Sequence, residues 1–182
     1  DAGAALDVVA DQEVVGAYGL DPEQVVVVGH SAGGCLAYWS AMRGLLKPNA
    51  PGAAPSRGTR TRMVVPRGAV SLGGVLDLQE AARDPSRVGA SPVRDLMHGL
   101  VSDSSETETA YRSASPIDLL PPAMQTNIRA EGGSQRSLNP PDCYFTLVHA
   151  DDDQLVAVEQ SIRWTVAATV AGMEVELDRV SE

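Results

Sequence analysis

The chain has 182 residues and a formal net charge of −10, because 24 acidic residues outnumber 14 basic ones. Its length suits one domain with a substantial core, and the acidic balance without a dense basic patch argues against nucleic acid as a partner. No apolar stretch is long enough to cross a bilayer, and Cys35 and Cys143 are too few for a disulfide framework. These features are ordinary for an α/β protein and fit a cytoplasmic location.

The first third of the chain predicts a helix, a strand and a second helix. Residues 4–18 predict one amphipathic helix, which Gly19 ends. The valines at 25–28 predict a buried strand, and the helix that follows it is predicted to stop at Pro48. Residues 48–62, rich in Pro, Gly, Ala, Ser and Arg, predict a solvated loop.

The rest of the chain continues the alternation of strands and helices. A second buried strand is predicted over residues 68–72. Residues 75–122 contain short helical pieces broken by prolines and glycines, so we predict a helical, cap-like excursion over the sheet. A loop, a strand, a helix and an outer strand are then predicted at residues 123–142, 144–149, 156–171 and 174–180. This order predicts a single α/β domain whose mostly parallel sheet is connected by right-handed crossovers.

The pentapeptide Gly29-His30-Ser31-Ala32-Gly33 lies between the first predicted strand and its helix. A strand, a G-x-S-x-G turn and a helix together make the pattern of a nucleophile elbow. Gly29 and Gly33 are predicted to leave room where the two backbones crowd, and Ser31 to expose its hydroxyl on a strained turn. The Ala32 N–H, at the helix start, is the first candidate donor to an oxyanion. The alternative is a glycine-rich turn with an incidental serine.

Three consecutive aspartates, Asp151, Asp152 and Asp153, follow the third predicted strand. An acid at the carboxyl end of that strand would share the rim of the sheet with Ser31, where it could orient a histidine and stabilise the imidazolium. Asp152 and Asp153 are equally suitable as the N-cap of the following helix. An aspartate that neither caps the helix nor orients a histidine would be a solvated loop charge. Spacing alone does not choose among the three.

A serine nucleophile also requires a base, and the candidates are His30, His98 and His149. The His30 backbone adjoins Ser31, so we expect its side chain to point elsewhere, and all three are better explained as structural or surface histidines. With an elbow of this kind the triad order is serine, acid, histidine, yet no histidine follows Asp153. The triad is therefore expected to be incomplete in this chain.

The nucleophile region resembles that of the α/β-hydrolases, in the carboxylesterase and kynurenine-formamidase-like branch, which favours G-H-S-A-G-G before a Leu-Ala-x-Trp helix. Three further segments resemble that branch's next strand and its exit, the A-S-P segment that closes its cap, and its H-G-x-x-D-x-x-V-P-x-x-Q-S acid segment: residues 70–78, 111–117 and 147–161. Matching the acid segment residue by residue places the family acid on Asp153. Ala150 stands where Gly is usual and Ala157 where Pro is usual, and neither change removes a reactive group.

The resemblance covers nearly the whole chain but not the whole family domain. The family's early strands, with the loop that supplies a second oxyanion donor, would precede Asp1, which is not a methionine. The catalytic histidine would follow Glu182 by a few residues. We therefore expect a partial α/β-hydrolase domain, incomplete at both ends, from a fragment or an incompletely predicted gene.

The function implied by the resemblance is a serine hydrolase that cleaves a small carboxylic ester or an aryl formamide through an acyl-enzyme at Ser31, with no metal or organic cofactor. The excursion at 75–122 is expected to shape the substrate pocket, and without its histidine the chain should turn over little substrate. A non-catalytic binding or receptor-like domain is the alternative, although Ser31, its flanking glycines and Asp153 favour truncation over decay. A serine peptidase is a lesser alternative, because the elbow does not distinguish esters from amides. The oligomeric state stays open.

Overall fold

The computed structural model describes residues 2–47, 50–53, 64–83, 90–97, 105–121 and 143–181. The predicted loop at 123–142 and His98 lie outside the described residues, and of the predicted loop at 48–62 only residues 50–53 are described. The strands are β1 (Val26–His30), β2 (Gly68–Leu72), β3 (Tyr144–Ala150) and β4 (Val175–Val180). They form one sheet in the order β1-β2-β3-β4, and every neighbouring pair is parallel. The predicted strands and the α/β fold class are confirmed, but the prediction that the first strand is buried is wrong, because every residue of β1 is exposed or only partly buried.

Helices connect and cover the strands. In chain order they are α1 (Ala2–Val9), α2 (Gln12–Tyr18), α3 (Ala32–Met42), α4 (Leu78–Arg83), α5 (Ala90–Leu96), α6 (Ser105–Ala114) and α7 (Glu159–Val170). A short 3-10 helix, Arg43–Leu45, continues α3, and another, Pro116–Leu119, follows α6. None of the helices in the described parts of the chain is long and apolar enough to cross a membrane.

The prediction of one helix over residues 4–18 is wrong, because α1 and α2 are separate. Asp11 divides them: its carboxylate accepts hydrogen bonds from the N–H groups of Glu13 at 2.9 Å and Val14 at 3.2 Å. A side chain that caps the next helix in this way ends the preceding one. Gly19, at φ 64°, ends α2 in the left-handed conformation that favours glycine, as predicted.

The main core lies between one face of the sheet and helices α3 and α7. Its centre is three aromatic rings, Tyr38 on α3, Phe145 on β3 and Trp164 on α7, whose centroids are 4.6 to 5.2 Å apart. All three side chains are almost fully buried, and the edge-to-face contacts that Tyr38 makes with the other two rings add to the energy of burial itself. On the opposite face, Val26 and Val28 of β1 are more than half exposed.

A second apolar cluster fixes the excursion between β2 and β3, in which the described residues contain helices and no strand. Its buried side chains come from the excursion itself, from α3 and from the segment before α7: Val75, Leu78, Ala82, Val93, Met97, Tyr111, Cys35 and Val156. Trp39 of α3 also donates its indole N–H to the Ser113 carbonyl at 2.8 Å. The excursion is thereby anchored on the helix that begins beside Ser31.

A buried charge pair joins α1 to the end of α3. Arg43 is 2% exposed, and its guanidinium contacts both carboxylate oxygens of Asp7, Nη2 with Oδ1 and Nη1 with Oδ2, the second at 3.3 Å. A guanidinium withdrawn from water requires such a partner, because an unpaired buried charge is strongly destabilising.

We expect Asp7→Ala to lower the free energy of unfolding by about 3 kcal/mol, because it leaves the buried Arg43 guanidinium without its counterion. Denaturant titration monitored by circular dichroism measures the change. The matched control is Glu108→Ala, which removes an exposed pair with Arg112 and should cost under about 0.5 kcal/mol. Equal effects of the two substitutions would contradict a structural role for the buried pair.

Candidate active site

Ser31 occupies a one-residue junction between β1 and α3. Its backbone has φ 56° and ψ −120°, and among the described residues it is the one non-glycine residue with positive φ. Such a conformation costs about 1–3 kcal/mol and persists where the surrounding structure enforces it. The predicted strained turn is therefore present at this residue.

Backbone hydrogen bonds enforce the Ser31 conformation from both sides. The Ser31 N–H donates to the Leu72 carbonyl at 2.9 Å, which continues the pairing of β1 with β2 by one residue. The Ser31 carbonyl accepts from the N–H groups of Gly34 at 3.0 Å, Cys35 at 3.3 Å and Val75 at 3.4 Å. The residue is thus held by the strand before it, the helix after it and the exit of β2.

The Ser31 hydroxyl makes no capping hydrogen bond to α3, although Ser31 occupies the N-cap position where serine commonly does so. The side chain is partly exposed. Ala32 begins α3, so its N–H has no carbonyl of a preceding helical turn to bond. The free hydroxyl of Ser31 can attack a carbonyl group. The unpaired N–H groups at the start of the helix can then stabilise the resulting oxyanion.

The close approach of strand and helix requires glycine at Gly29 and Gly34. A Cβ on Gly29 would overlap the backbone of Gly33, and a Cβ on Gly34 would lie 2.6 Å from the Ser71 hydroxyl and 2.9 Å from the Gly74 Cα. A Cβ on Gly33 would meet nothing within 4 Å. The expectation that Gly29 and Gly33 both leave room where the two backbones crowd is wrong for Gly33, because a side chain there would extend into open space and only its backbone takes part in the crowding.

The ends of three strands form one rim. His30, Leu72 and Val148 are neighbours in register, and the Gly73 N–H donates to the Val148 carbonyl at 2.9 Å just as Ser31 donates to Leu72. Neighbouring strands are about 4.8 Å apart, so His30 and Val148, which are two strands apart in register, are separated by about 10 Å.

The structure separates the three aspartates that spacing could not. Asp151 pairs with Arg179 of β4 at 2.6 Å, and Asp152 is exposed. Asp153 Oδ1 accepts from the N–H groups of Leu155 at 2.8 Å and Val156 at 2.9 Å. No regular helix follows this turn directly, and α7 starts at residue 159 and not at the predicted 156.

The second carboxylate oxygen of Asp153 faces the rim. A Cβ on Gly73 would lie 3.2 Å from Asp153 Oδ2, and Gly73 has φ 53°. The Asp153 side chain is 24% exposed. One oxygen is therefore fixed by two backbone donors, while the other lies beside the residue that follows β2, one strand away from Ser31.

Neither of the two described histidines is placed as a base. His30 is exposed at the end of β1, on the outer face that carries Val28. His149 is 2% exposed, and its ring nitrogens contact the Ser161 hydroxyl at 2.7 Å and the Val156 carbonyl at 2.9 Å. Both His149 nitrogens are thus bonded within the segment that carries Asp153.

Cys35 lies four residues after Ser31 and is excluded as a competing nucleophile. The thiol is 4% exposed, and burial raises the pKa of Cys35 from 9.0 to about 12. Burial raises the pKa of Cys143 to about 12 in the same way. A thiol rather than a thiolate is present at neutral pH, as expected of buried structural cysteines.

A small cavity opens beside the rim, between the excursion and the turn after Asp153. Its volume is about 20 Å³, and its lining is mainly apolar: Val75, Ala81, Ala90, Leu155, Val156 and Ala157, with Glu80 and Gln160. Val75, whose N–H donates to the Ser31 carbonyl, connects the cavity to the elbow.

Sequence reasoning assigned no role to Gln160, Gly34 or Gly73. Gln160, 2% exposed, accepts from the N–H groups of Leu76 at 3.0 Å and Asp77 at 2.7 Å, so it ties α7 to the exit of β2. The Gly-Gly pairs at 33–34 and 73–74, two of the three in the sequence, are the signal that could have indicated close backbone contact at the rim.

Solved structures resemble this chain over nearly its whole length. A puromycin-hydrolyzing peptidase from Mycobacterium tuberculosis is 19% identical with a TM-score of 0.59, covering 93% of this chain and 20% of its own. An acetyl ester-xyloside bifunctional hydrolase from Caldicellulosiruptor lactoaceticus is 19% identical with a TM-score of 0.64, covering 100% and 54%. Esterase 2 of Thermogutta terrifontis, phosphonylated by sarin, is 22% identical with a TM-score of 0.64, covering 100% and 53%.

These neighbours show the fold. The chain has the α/β-hydrolase fold in part, and it spans about a fifth of the peptidase and just over half of the bifunctional hydrolase and of esterase 2. No protein-family model matches the chain, and no curated protein gives a significant match. The neighbours do not single out the kynurenine-formamidase-like branch.

We expect Gly29→Ala to lower the free energy of unfolding by more than about 3 kcal/mol, because its Cβ would overlap backbone atoms that cannot move independently. The matched control is Gly33→Ala, which places a Cβ in open space within a helix and should stabilise the chain by up to about 1 kcal/mol. Thermal and denaturant unfolding measure both. Similar losses of unfolding free energy at the two positions would contradict the finding that a side chain is crowded at Gly29 and not at Gly33.

We expect both thiols of the folded chain to react slowly with Ellman's reagent at pH 8. Each pKa is raised, so the reactive thiolate is suppressed at every pH below about 12 and appears only above it. Unfolding in guanidinium chloride should speed the reaction at least about 100-fold. A thiol that reacts rapidly before unfolding would contradict the burial of that cysteine.

Proposed function

We propose that this chain carries the nucleophile and the acid of a serine hydrolase, with Ser31 and Asp153 in those roles. The observation that carries the proposal is the strained Ser31 backbone with its uncapped, partly exposed hydroxyl. A fold that needed only a turn here could use glycine without the conformational cost. Strain retained at a serine is consistent with a use for the hydroxyl.

The proposed chemistry is acyl transfer. Ser31 Oγ attacks the substrate carbonyl carbon while its proton passes to a histidine, and the Ala32 N–H stabilises the tetrahedral oxyanion. Collapse of this intermediate breaks the bond to the leaving group, which takes the proton from the histidine. Water then attacks the acyl-enzyme by the same route and releases the acid and free Ser31.

Asp153 Oδ2 would orient the histidine, which must bridge the gap between the ends of β1 and β3. Since no histidine follows Asp153 in the sequence, we propose that the base comes from a part of the protein outside these 182 residues. The 182 residues alone would then turn over little substrate.

The proposed substrate is a small carboxylic ester. The structural neighbours include an acetyl ester-xyloside bifunctional hydrolase and an esterase, which supports this choice. The cavity beside Val75 is mainly apolar but, at about 20 Å³, has room for only about one water. The excursion over 75–122 would act as the cap that shapes a larger substrate pocket. An aryl formamide is a second substrate class that the sequence resemblance alone favours, and a peptide is a third, because the structural neighbours include peptidases.

A non-catalytic binding domain is the second candidate function. The bonding of both His149 nitrogens and the lack of a histidine after Asp153 favour it. The Ser31 strain opposes it, because a binding surface gains nothing from a hydroxyl held at a cost of about 1–3 kcal/mol.

We expect added imidazole to restore hydrolysis of p-nitrophenyl acetate by the chain, because free imidazole can occupy the place of the absent base. The rate above that of imidazole alone should be at least about tenfold higher for the wild-type chain than for Ser31→Ala. A fluorophosphonate probe applied under the same conditions should label Ser31, identified by peptide mass spectrometry.

The acid is tested by a matched pair of variants. Asp153→Asn should lower the imidazole-dependent rate about tenfold or more, whereas Asp152→Asn, which changes an exposed neighbour, should leave it unchanged. A wild-type rate no higher than that of Ser31→Ala, in folded protein, would reject the hydrolase and favour the binding domain.

A further inference from the structure

We infer that His149 is a positioning residue that fixes the Asp153 carboxylate, and not the base of the reaction. This inference rests on the proposed role of Asp153 as the acid. It goes beyond that role because it assigns a defined task, a defined tautomer and a defined hydrogen-bond path to a histidine that the acyl-transfer steps leave unused.

The contacts of His149 determine which ring nitrogen carries the proton. The Val156 carbonyl, 2.9 Å from Nε2, can only accept a hydrogen bond, so Nε2 is the donor. In the neutral ring Nδ1 is then the acceptor, and the Ser161 hydroxyl at 2.7 Å donates to it. Burial of the ring leaves no water to replace either partner.

These bonds form a continuous path from α7 to the carboxylate. Ser161 donates to His149, His149 donates to the Val156 carbonyl, and the Val156 N–H donates to Asp153 Oδ1. The His149 Nε2 also lies 3.5 Å from Asp153 Oδ2, a close polar contact and not a hydrogen bond, because the Nε2 proton is donated to the Val156 carbonyl. The orientation of Oδ2 toward Gly73 therefore depends on where His149 holds the turn.

The start of the path is itself immobilised. Ser161 is fully buried at the beginning of α7, next to Gln160, whose side-chain oxygen accepts from the N–H groups of Leu76 and Asp77. Helix α7 is thereby fixed to the exit of β2, which also contacts Ser31 through Val75. His149 thereby connects a fixed part of the structure to Asp153, whose carboxylate must be held in one orientation.

The test compares His149→Gln with His149→Asn, assayed with p-nitrophenyl acetate and imidazole. Glutamine keeps an N–H donor near the position of Nε2, whereas asparagine keeps polar atoms only near the position of Nδ1. We expect His149→Asn to lower kcat about 10- to 100-fold with KM changed less than about threefold. His149→Gln should recover most of that loss.

Amide hydrogen exchange gives a readout that does not depend on activity. The Leu155 and Val156 amides, which donate to Asp153 Oδ1, should exchange at least about tenfold faster in His149→Asn and near the wild-type rate in His149→Gln. Nitrogen-15 spectra of the wild-type imidazole should show the neutral ring protonated at Nε2. Ser161→Ala, which leaves the ring in place, should lower kcat by about three- to tenfold and serves if the His149 variants do not fold.

The outcomes separate this inference from the proposed function. An active wild-type chain whose folded His149→Asn or Ser161→Ala variant keeps full kcat would overturn the positioning role alone. Equal losses in His149→Asn and His149→Gln would also overturn it, because the Nε2 donor would not be the determinant. A wild-type chain without Ser31-dependent turnover would reject the hydrolase, while the exchange rates would still decide whether His149 holds the turn.

Discussion

The hydrogen bond from the Ser31 N–H to the Leu72 carbonyl is the constraint on which the rim depends. It extends the β1–β2 ladder one residue beyond the strand, at the point where the chain must already have turned into α3. The junction between β1 and α3 is therefore Ser31 alone, and its φ is 56° because one residue must make the whole turn. The same short turn brings β1, α3 and the exit of β2 into close contact, so positions 29 and 34 have no room for a side chain.

The sequence predicts the strands well because they are short apolar runs bounded by turn residues, but it overstates the burial of β1, whose Val26 and Val28 are exposed. It predicts Ser31 because the elbow is a local arrangement, complete within one strand, one turn and one helix. The break at Asp11 is not predicted, because an aspartate on the polar side of a helical pattern and an aspartate that caps the next helix look alike in sequence.

The acid and the crowded glycines depend on contacts between distant segments, which spacing does not contain. Asp153 differs from Asp152 only in its contacts: its carboxylate accepts hydrogen bonds from two backbone N–H groups and lies beside Gly73. A side chain at Gly34 would collide with β2 and its exit, whereas a side chain at Gly33, which belongs to the motif, would extend into open space. A pattern of glycines marks the crowding, but only packing shows which of them lacks room.

The excursion and the rim are joined through α3, and the two tryptophans report on separate parts of that assembly. Trp164 is fully buried between two aromatic rings, while Trp39 is bonded to the Ser113 carbonyl at the excursion. Emission from Trp164 therefore follows the integrity of the sheet-and-helix core, and emission from Trp39 follows the seating of the excursion on α3. A detachment of the excursion alone would therefore change the emission of Trp39, whereas global unfolding would change the emission of both tryptophans.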